Sequence, residues 1–364
     1  MNLLKILQII PYFSAEFGGS AEACYQLSKS LATRGHEVRV FTTRAGKYWF
    51  DELAVHRYPI LLSLAQFNIT SSDYECSQLC AWADVIHMHN FRTFQNVQAM
   101  NKGKTYVLQP HGSLPNAHGK RALKSLFDRV WGKKLLRGAA SVITVNSLEA
   151  MDAIAAGVST KRIAMIPNGV NLADFADLPS PNVFRQKYGL GASQVVLFLG
   201  RLHKGKGIEL LLHTITVMTN TKLVIVGPDA GYRRQLAQYA SYTGVGDSVV
   251  FTGALYGDAK REALAAVDVV AIPSYFETFP LVALEAWACS LPVVIRKGSG
   301  IDYLVNQAGV VAGWEGDSME VALRQALEHK TEYGRAGRAL VESEFTWDAV
   351  VDKVEQVYER CLNQ

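Results

Sequence analysis

The sequence predicts an α/β chain of two doubly wound, parallel-sheet domains, and three observations carry that prediction. A length of 364 residues is too great for one ordinary core and calls for two. Apolar runs such as Asp84–His89, Gln194–Gly200 and Val269–Pro273 are short and bounded by Gly, Pro and Ser, the mark of strands covered on both faces. The order strand, glycine-bearing loop, helix, strand begins near Leu4 and again near Gln194, and each is a mononucleotide-binding half-unit.

Composition sets outer bounds. With 49% hydrophobic and 19% charged residues the chain is of ordinary globular type. A net charge of +4 and a pI near 8.7 agree with an anionic substrate or surface, and no nucleic-acid partner is expected. Five cysteines form no pair of CxxC motifs, and an odd count argues against a secreted disulfide framework. Leu3–Ile10 reads as a first strand, since it runs into Pro11 without a small-residue cleavage site. No segment approaches the ~18 apolar residues needed to cross a bilayer. A cytoplasmic protein is expected.

Along the first half, the Leu4–Ile10 strand leads into the loop Pro11–Gly19, then a helix Ser20–Arg34 and a strand Glu37–Thr42. Gly18 and Gly19 precede the helix, where free amides and the helix dipole favour phosphate, although a simple turn is the commoner cause of a glycine pair. A dinucleotide fingerprint would need G-x-G-x-x-G and an acid closing the second strand, and both are missing, which speaks against a nicotinamide enzyme. Leu53–Tyr58 reads as a short strand and Pro59–Phe67 as an apolar loop or helix start. His87 and His89, two apart, share one strand face. Without further ligands they read as polar contacts rather than a metal site. His111 follows the Thr105–Gln109 strand in Pro110-His111-Gly112, a place suited to ligand contact or to a structural role.

Residues 120–138 follow, with Leu123, Leu126, Phe127, Val130 and Trp131 at helical spacing among Lys120, Arg121, Lys124, Arg129, Lys133, Lys134 and Arg137. Two readings stand. One is a solvated helix packed on its own domain; the other is an interfacial helix at 120–137, drawn to anionic lipid at ~1 kcal/mol per basic residue. Strands at Ser141–Asn146 and Ile163–Pro167 complete this half.

Leu178–Asn182 reads as a linker. Gln194–Gly200 then opens the second unit, followed by Arg201, Lys204, Lys206 and a helix from about Ile208. A basic, glycine-containing loop before a helix makes a phosphate cradle, and its spacing is not that of a Walker loop. Strands are expected at Leu223–Val226 and Val249–Phe251, the latter leading into Thr252-Gly253-Ala254-Leu255. The stretch from Val269 to Ile295 reads as a strand, a turn, a helix from about Pro280 to Cys289 with Thr278 as its cap, and a second strand. Glu277 falls at a strand's carboxyl end, where ligands of parallel sheets bind. Glu285, seven intervening residues later, lies on an apolar helix and needs a partner. It is either a structural glutamate bonded to an amide or arginine, or one of two carboxylates that accept hydroxyls of a sugar-like ligand. Helices at 318–328, 333–344 and from about 345–347 to 361 end the chain.

The run Glu277-Thr278-Phe279-Pro280-Leu281 through Glu285, with Leu291-Pro292-Val293-Val294, resembles the signature of retaining glycosyltransferases of family 4. The resemblance extends to Gly18-Gly19, His111-Gly112, Asn168-Gly169-Val170, Arg201, Lys206 and Gly298-Ser299-Gly300. It departs at Thr278 and Pro280, where the family has glycine, and at Asn171, where it has an acid. It implies the GT-B fold, two Rossmann-like domains facing across a cleft. The domains would be 1–175 with a returning C-terminal helix (about 347–364), and 176–346. It implies transfer of a hexose from a UDP- or GDP-sugar to a glycan or lipid-linked acceptor, with no cofactor and no metal. Arg201 and Lys206 would hold the diphosphate, with Gly18 and Gly19 approaching it. Glu277 would hold the sugar, Glu285 the ribose and His111 the sugar and acceptor. Gly253, Ala254 and Leu255 would lie beside the base, and Thr278, Phe279, Pro280 and Leu281 would line the donor. Two alternatives remain open: a nucleotide-sugar epimerase of the same fold, and a non-catalytic nucleotide-sugar binding subunit. On the first reading the protein works in the cytoplasm or at the inner face of the membrane.

Overall fold

Strands buried on both faces build two parallel sheets. The computed structural model describes residues 2–46, 52–64, 67–115 and 121–363. Along the chain come β1 (Lys5–Ile9), β2 (Glu37–Thr43), β3 (Ala54–Tyr58), a hairpin of β4 (Ile60–Leu64) and β5 (Phe67–Thr70), then β6 (Val85–His89), β7 (Tyr106–Gln109), β8 (Ser141–Thr144) and β9 (Ile163–Met165). The first sheet has the order β3-β2-β1-β6-β7-β8-β9, parallel throughout. Leu7, Ile9, Ile86, Met88, Leu108 and Val142 form its core.

A second series follows: β10 (Gln194–Leu199), β11 (Thr221–Val226), β12 (Val249–Gly253), β13 (Val269–Ile272), β14 (Val293–Arg296) and β15 (Gly309–Ala312). These pair in the order β12-β11-β10-β13-β14-β15, again all parallel. Val196, Phe198, Ile225, Val269 and Val294 fill that core. Both orders reverse direction beside their first strand, so each sheet has a switch point of the kind that receives ligands.

The chain divides into one unit of Met1–Asn168 with Trp347–Gln364 and another of Gly169–Thr346. The break at 168/169 lies earlier than the expected 175/176. Val170 explains the shift, because its N–H donates to Phe345 O at 2.7 Å and it bridges Thr346. The expected linker at 178–182 is part of the second unit, where Pro181 opens a helix (Pro181–Lys187) that buries Phe184. The last helix, Trp347–Leu362, docks in the first unit. Arg34 reaches Asp352 (2.5 Å) and Glu355 (3.0 Å), and Tyr358 OH meets His87 Nδ1 at 2.8 Å.

Two local expectations are corrected. Residues 59–67 include the antiparallel hairpin strand β4 rather than a loop or helix start. Phe67 fixes the returning strand by packing its ring on Phe94, Phe127 and Trp131 at 5.5–5.7 Å. The basic stretch is helical from Arg121 to Gly138 with a π-helical turn at Asp128–Gly132, while Lys120 lies outside the described residues. Its apolar residues do not share one packed face. At ~100° per residue they spread over a wide arc. Phe127 takes the core edge of it, and Leu123, Leu126 and Val130 stay exposed.

Candidate active site

In the second unit the sheet order reverses between β10 and β13, and the loops leaving these strands meet there. Gly207 makes the meeting possible. It has φ +63°, and a Cβ on it would stand 2.3 Å from Pro273 O. Tyr275 N–H donates to Gly205 O at 3.1 Å, tying the two loops together. Lys206 Nζ consequently pairs with Glu277 Oε1, which also accepts the Ser274 hydroxyl at 2.7 Å. Both bonds fall on the same oxygen, and Oε2 has no partner among the described residues. Gly300 N–H holds the Glu277 carbonyl at 3.3 Å. Arg201 and Lys204 are exposed, and Arg201 has no ion pair among the described residues.

Glu285 sits on the helix Leu281–Ala288 with its side chain 12% exposed, and its partner is Lys260 Nζ at 2.8 Å. Lys260 belongs to the helix Gly257–Ala265, which follows Gly253, Ala254 and Leu255 at the end of β12. The carboxylate thus neither caps an amide nor meets an arginine, as its structural reading supposed. Pro280, rather than Thr278, is the residue before the helix, and it caps without a side-chain bond. Pro280 is therefore not the first helical residue, and Leu281 is. Phe279 is buried, with its ring 6.0 Å from that of Phe345, so its side chain serves packing.

In the first unit, Gly18 has φ +83° and precedes the helix Gly19–Thr33. His111 follows β7 in a left-handed turn with φ +52°, unusual for a side-chain-bearing residue. Its Nε2 lies 2.8 Å from His89 Nδ1, and His89 Nε2 lies 2.7 Å from Gln8 Oε1. With Gln8 presenting its carbonyl oxygen, His89 carries its proton on Nε2, so His111 donates from Nε2 and keeps Nδ1 as an acceptor. Burial pushes His111 and His87 down to about 3 and holds His89 well below its ordinary range, so all three rings are neutral.

A buried carboxylate braces that turn. Glu149 accepts the Gly112 N–H on Oε1 and the Val145 N–H on Oε2 (2.8 Å), and its own N–H is capped by Asn146 at 2.8 Å. Burial raises its pKa to about 7, and the two amide bonds pull it the other way without offsetting that.

Glu277 and Lys206 are brought into contact, and the loop that carries Glu277 is bonded both to the loop that carries Arg201 and to Gly300. Lys260, Ser274, Glu149 and Gln8 escaped sequence reasoning. A lone lysine on an amphipathic helix and a glutamine in a strand leave no periodic signal, because their partners are fixed only by tertiary packing. Among the described residues no cluster of three or more His, Cys, Asp or Glu could hold a metal.

Comparison with known proteins adds family to geometry. Residues 17–174 match the family described as Glycosyltransferase Family 4, and residues 193–329 match Glycosyl transferases group 1. A D-inositol 3-phosphate glycosyltransferase of Corynebacterium diphtheriae is 26% identical, over 95% of this chain and 90% of that protein. An uncharacterized glycosyltransferase of Methanocaldococcus jannaschii is 29% identical, over 79% of each. Among solved structures, Anabaena HepE in complex with UDP and glucose has a TM-score of 0.84 at 20% identity, covering 98% of this chain and 99% of that one. Sucrose-phosphate synthase of Thermosynechococcus elongatus has 0.79 at 20%, covering 98% of both. These likenesses are to GT-B enzymes, with the fold of two Rossmann-like units. The chain belongs to the group 1 glycosyltransferases of family 4, and it is a glycosyltransferase.

Proposed function

We propose that the protein moves a hexose from a nucleoside-diphosphate sugar to an acceptor hydroxyl with retention at the anomeric carbon. The observation that carries this reading is the disposition of the two acids. Glu277 and Glu285 each engage a lysine through Oε1, and their Oε2 atoms take no bond among the described residues. Each acid is thus held in place with an oxygen left to accept a ligand hydroxyl. Glu277 is assigned to the donor sugar and Glu285 to the ribose. Arg201 and Lys206 are assigned to the diphosphate, where they stabilise charge growing on the leaving group without a metal. Solved relatives of the fold bound to UDP and UDP-glucose agree with a nucleotide-sugar donor.

In the first unit, Gly18 and Gly19 are assigned to phosphate through their amides, and neutral His111 to hydroxyls of sugar and acceptor. The acceptor oxygen bonds to the anomeric carbon on the face from which the diphosphate departs. The bond to the diphosphate oxygen breaks, and that oxygen takes the acceptor's proton. A thermal-shift panel of UDP-, GDP- and ADP-sugars tests the reading, because a ligand at 100 times its Kd adds ~2.7 kcal/mol. No shift with any of them refutes it.

The same reading includes an acceptor presented at an anionic membrane, met by 120–137. Its support is the exposed apolar row Leu123, Leu126 and Val130 set among basic residues. Among the described residues no helix is long and apolar enough to cross a membrane. Sedimentation with anionic vesicles at low salt checks the association, and an unbound protein ends it.

A further inference from the structure

Beside the Glu277 loop, β14 ends in Arg296, whose guanidinium lies against two aromatic rings. The Arg296 guanidinium lies 4.5 Å from the centre of the Tyr275 ring and 4.0 Å from that of Trp314. The three residues come from the carboxyl ends of adjacent strands, β13, β14 and β15. Nε and Nη1 are shut off from solvent, and among the described residues they have no hydrogen-bond partner and the guanidinium pairs with no carboxylate. Asp302, six residues on, does not serve it. Its oxygens accept the Gly298 and Ser299 amides and the Ser299 hydroxyl at 2.6–3.1 Å.

Stacking on two π faces stabilises a cation, but it leaves the in-plane N–H groups without acceptors. A buried donor without an acceptor is costly, and the planar fork of arginine matches the oxygens of a carboxylate or phosphate. The rings that clamp it remain open to ligand, with Tyr275 55% and Trp314 49% exposed. Aromatic rings beside a charged fork offer a sugar a surface for its apolar face and a partner for its anionic substituent. The site adjoins Glu277 through two short links. Tyr275 precedes Glu277 by two residues, and the Gly298–Gly300 turn that follows Arg296 donates to the Glu277 carbonyl.

We propose that Arg296, Tyr275 and Trp314 form a subsite for the anionic group, carboxylate or phosphate, of a sugar acceptor. The word acceptor rests on the transferase reading above; the anion site itself does not. No covalent step occurs there. The subsite selects a charged sugar over a neutral one and holds it beside Glu277.

Tryptophan fluorescence titration of the full chain with glucose 6-phosphate, glucuronate, inorganic phosphate and glucose tests this. The contribution of Trp314 is identified by comparison with W314F. The expected result is a Trp314 signal with the anionic sugars and none with glucose, and the stronger of the two sugars names phosphate or carboxylate. Arg296→Gln should weaken that binding roughly tenfold or more. Arg296→Lys, which keeps charge and stem but loses the fork, serves if the glutamine variant fails to fold, and should weaken it too. Equal binding by wild type and either folded variant, or an equal response to glucose, overturns the proposal. The thermal-shift panel of UDP-, GDP- and ADP-sugars is measured alongside. No shift with any of them while the anion signal is intact refutes the donor reading and leaves this site standing. A shift with one of them while the anion signal is absent does the reverse.

Discussion

At the carboxyl edge of the second sheet, two carboxylates each meet a lysine, Glu277 with Lys206 and Glu285 with Lys260. At the corresponding edge of the first sheet, three imidazoles are neutral and a buried carboxylate, Glu149, is held by amides instead of a cation. One edge stores opposite charges that a ligand can rearrange; the other stores fixed hydrogen-bond directions. Acceptor hydroxyls need orientation, and a departing diphosphate needs charge, so the difference follows the division of labour proposed for the two edges.

The largest way to break that comparison is to remove charge from the second edge. Lys206→Ala should lower turnover by ~100-fold or more, the size found when one donor to a developing anion is lost. The assay is nucleotide release with the donor chosen by thermal shift. A rate near that of wild type would mean that the pair with Glu277 is only structural.

Acidity sharpens the comparison at the first edge. The Glu149 carboxyl keeps its proton to about 7 in the folded chain, against 4.5 as its ordinary value. At this site the native state therefore binds more protons between those limits, and the stability that Glu149 contributes falls as pH rises through them. The contribution is fully present below pH 4.5 and gone above about 7. By linkage it amounts to about 3 kcal/mol. Urea unfolding of wild type and Glu149→Gln across this window should differ by that slope: the three buried histidines, which take up protons on unfolding, tilt both curves the other way, and the difference between the curves isolates Glu149. Parallel curves would show that Glu149 does not titrate there.

Glu149→Gln also leaves one of two amides facing an NH2 group instead of an oxygen. At a fixed pH near 4.5, where wild type still holds its proton, a loss of about 1–3 kcal/mol is expected from that unsatisfied group. The Gly112 turn should loosen with it, and with it the left-handed setting of His111. Hydrogen exchange at Gly112 and Val145 reports this locally, and unchanged protection would assign the brace elsewhere.

Much of this was legible beforehand for a definite reason. Two-sided burial writes parallel strands as apolar runs, so β1, β6, β10 and β13 stood out, and the loops after them inherited their significance. What stayed hidden depends on neighbours far away in sequence. The hairpin β4–β5 is set by the packing of Phe67 on Trp131. The unit boundary is set by Val170 bonding to Phe345 across the chain. Glu285 announced its need for a partner by its apolar helix, yet nothing in the sequence pointed to Lys260, 25 residues earlier. Glu149 lay in a short amphipathic helix, with no sign that its carboxylate would reach the turn after β7.

Lys260 gives the finest test, because it separates holding a ligand from driving its reaction. Its pair with Glu285 is partly open to solvent, with side chains 23% and 12% exposed. Such a pair contributes about 1 kcal/mol or less, so Lys260→Ala should weaken donor binding by about fivefold at most. Turnover at saturating donor should stay nearly unchanged, since the ribose lies away from the bonds that form and break. Titration calorimetry with the preferred nucleotide, beside kcat, separates the two effects. A fall in kcat as deep as that of Lys206→Ala would place Lys260 in the charge-stabilising set and erase the distinction between the two lysines. Tighter binding would mean that the lysine competes with the ligand for Glu285 rather than aiming it.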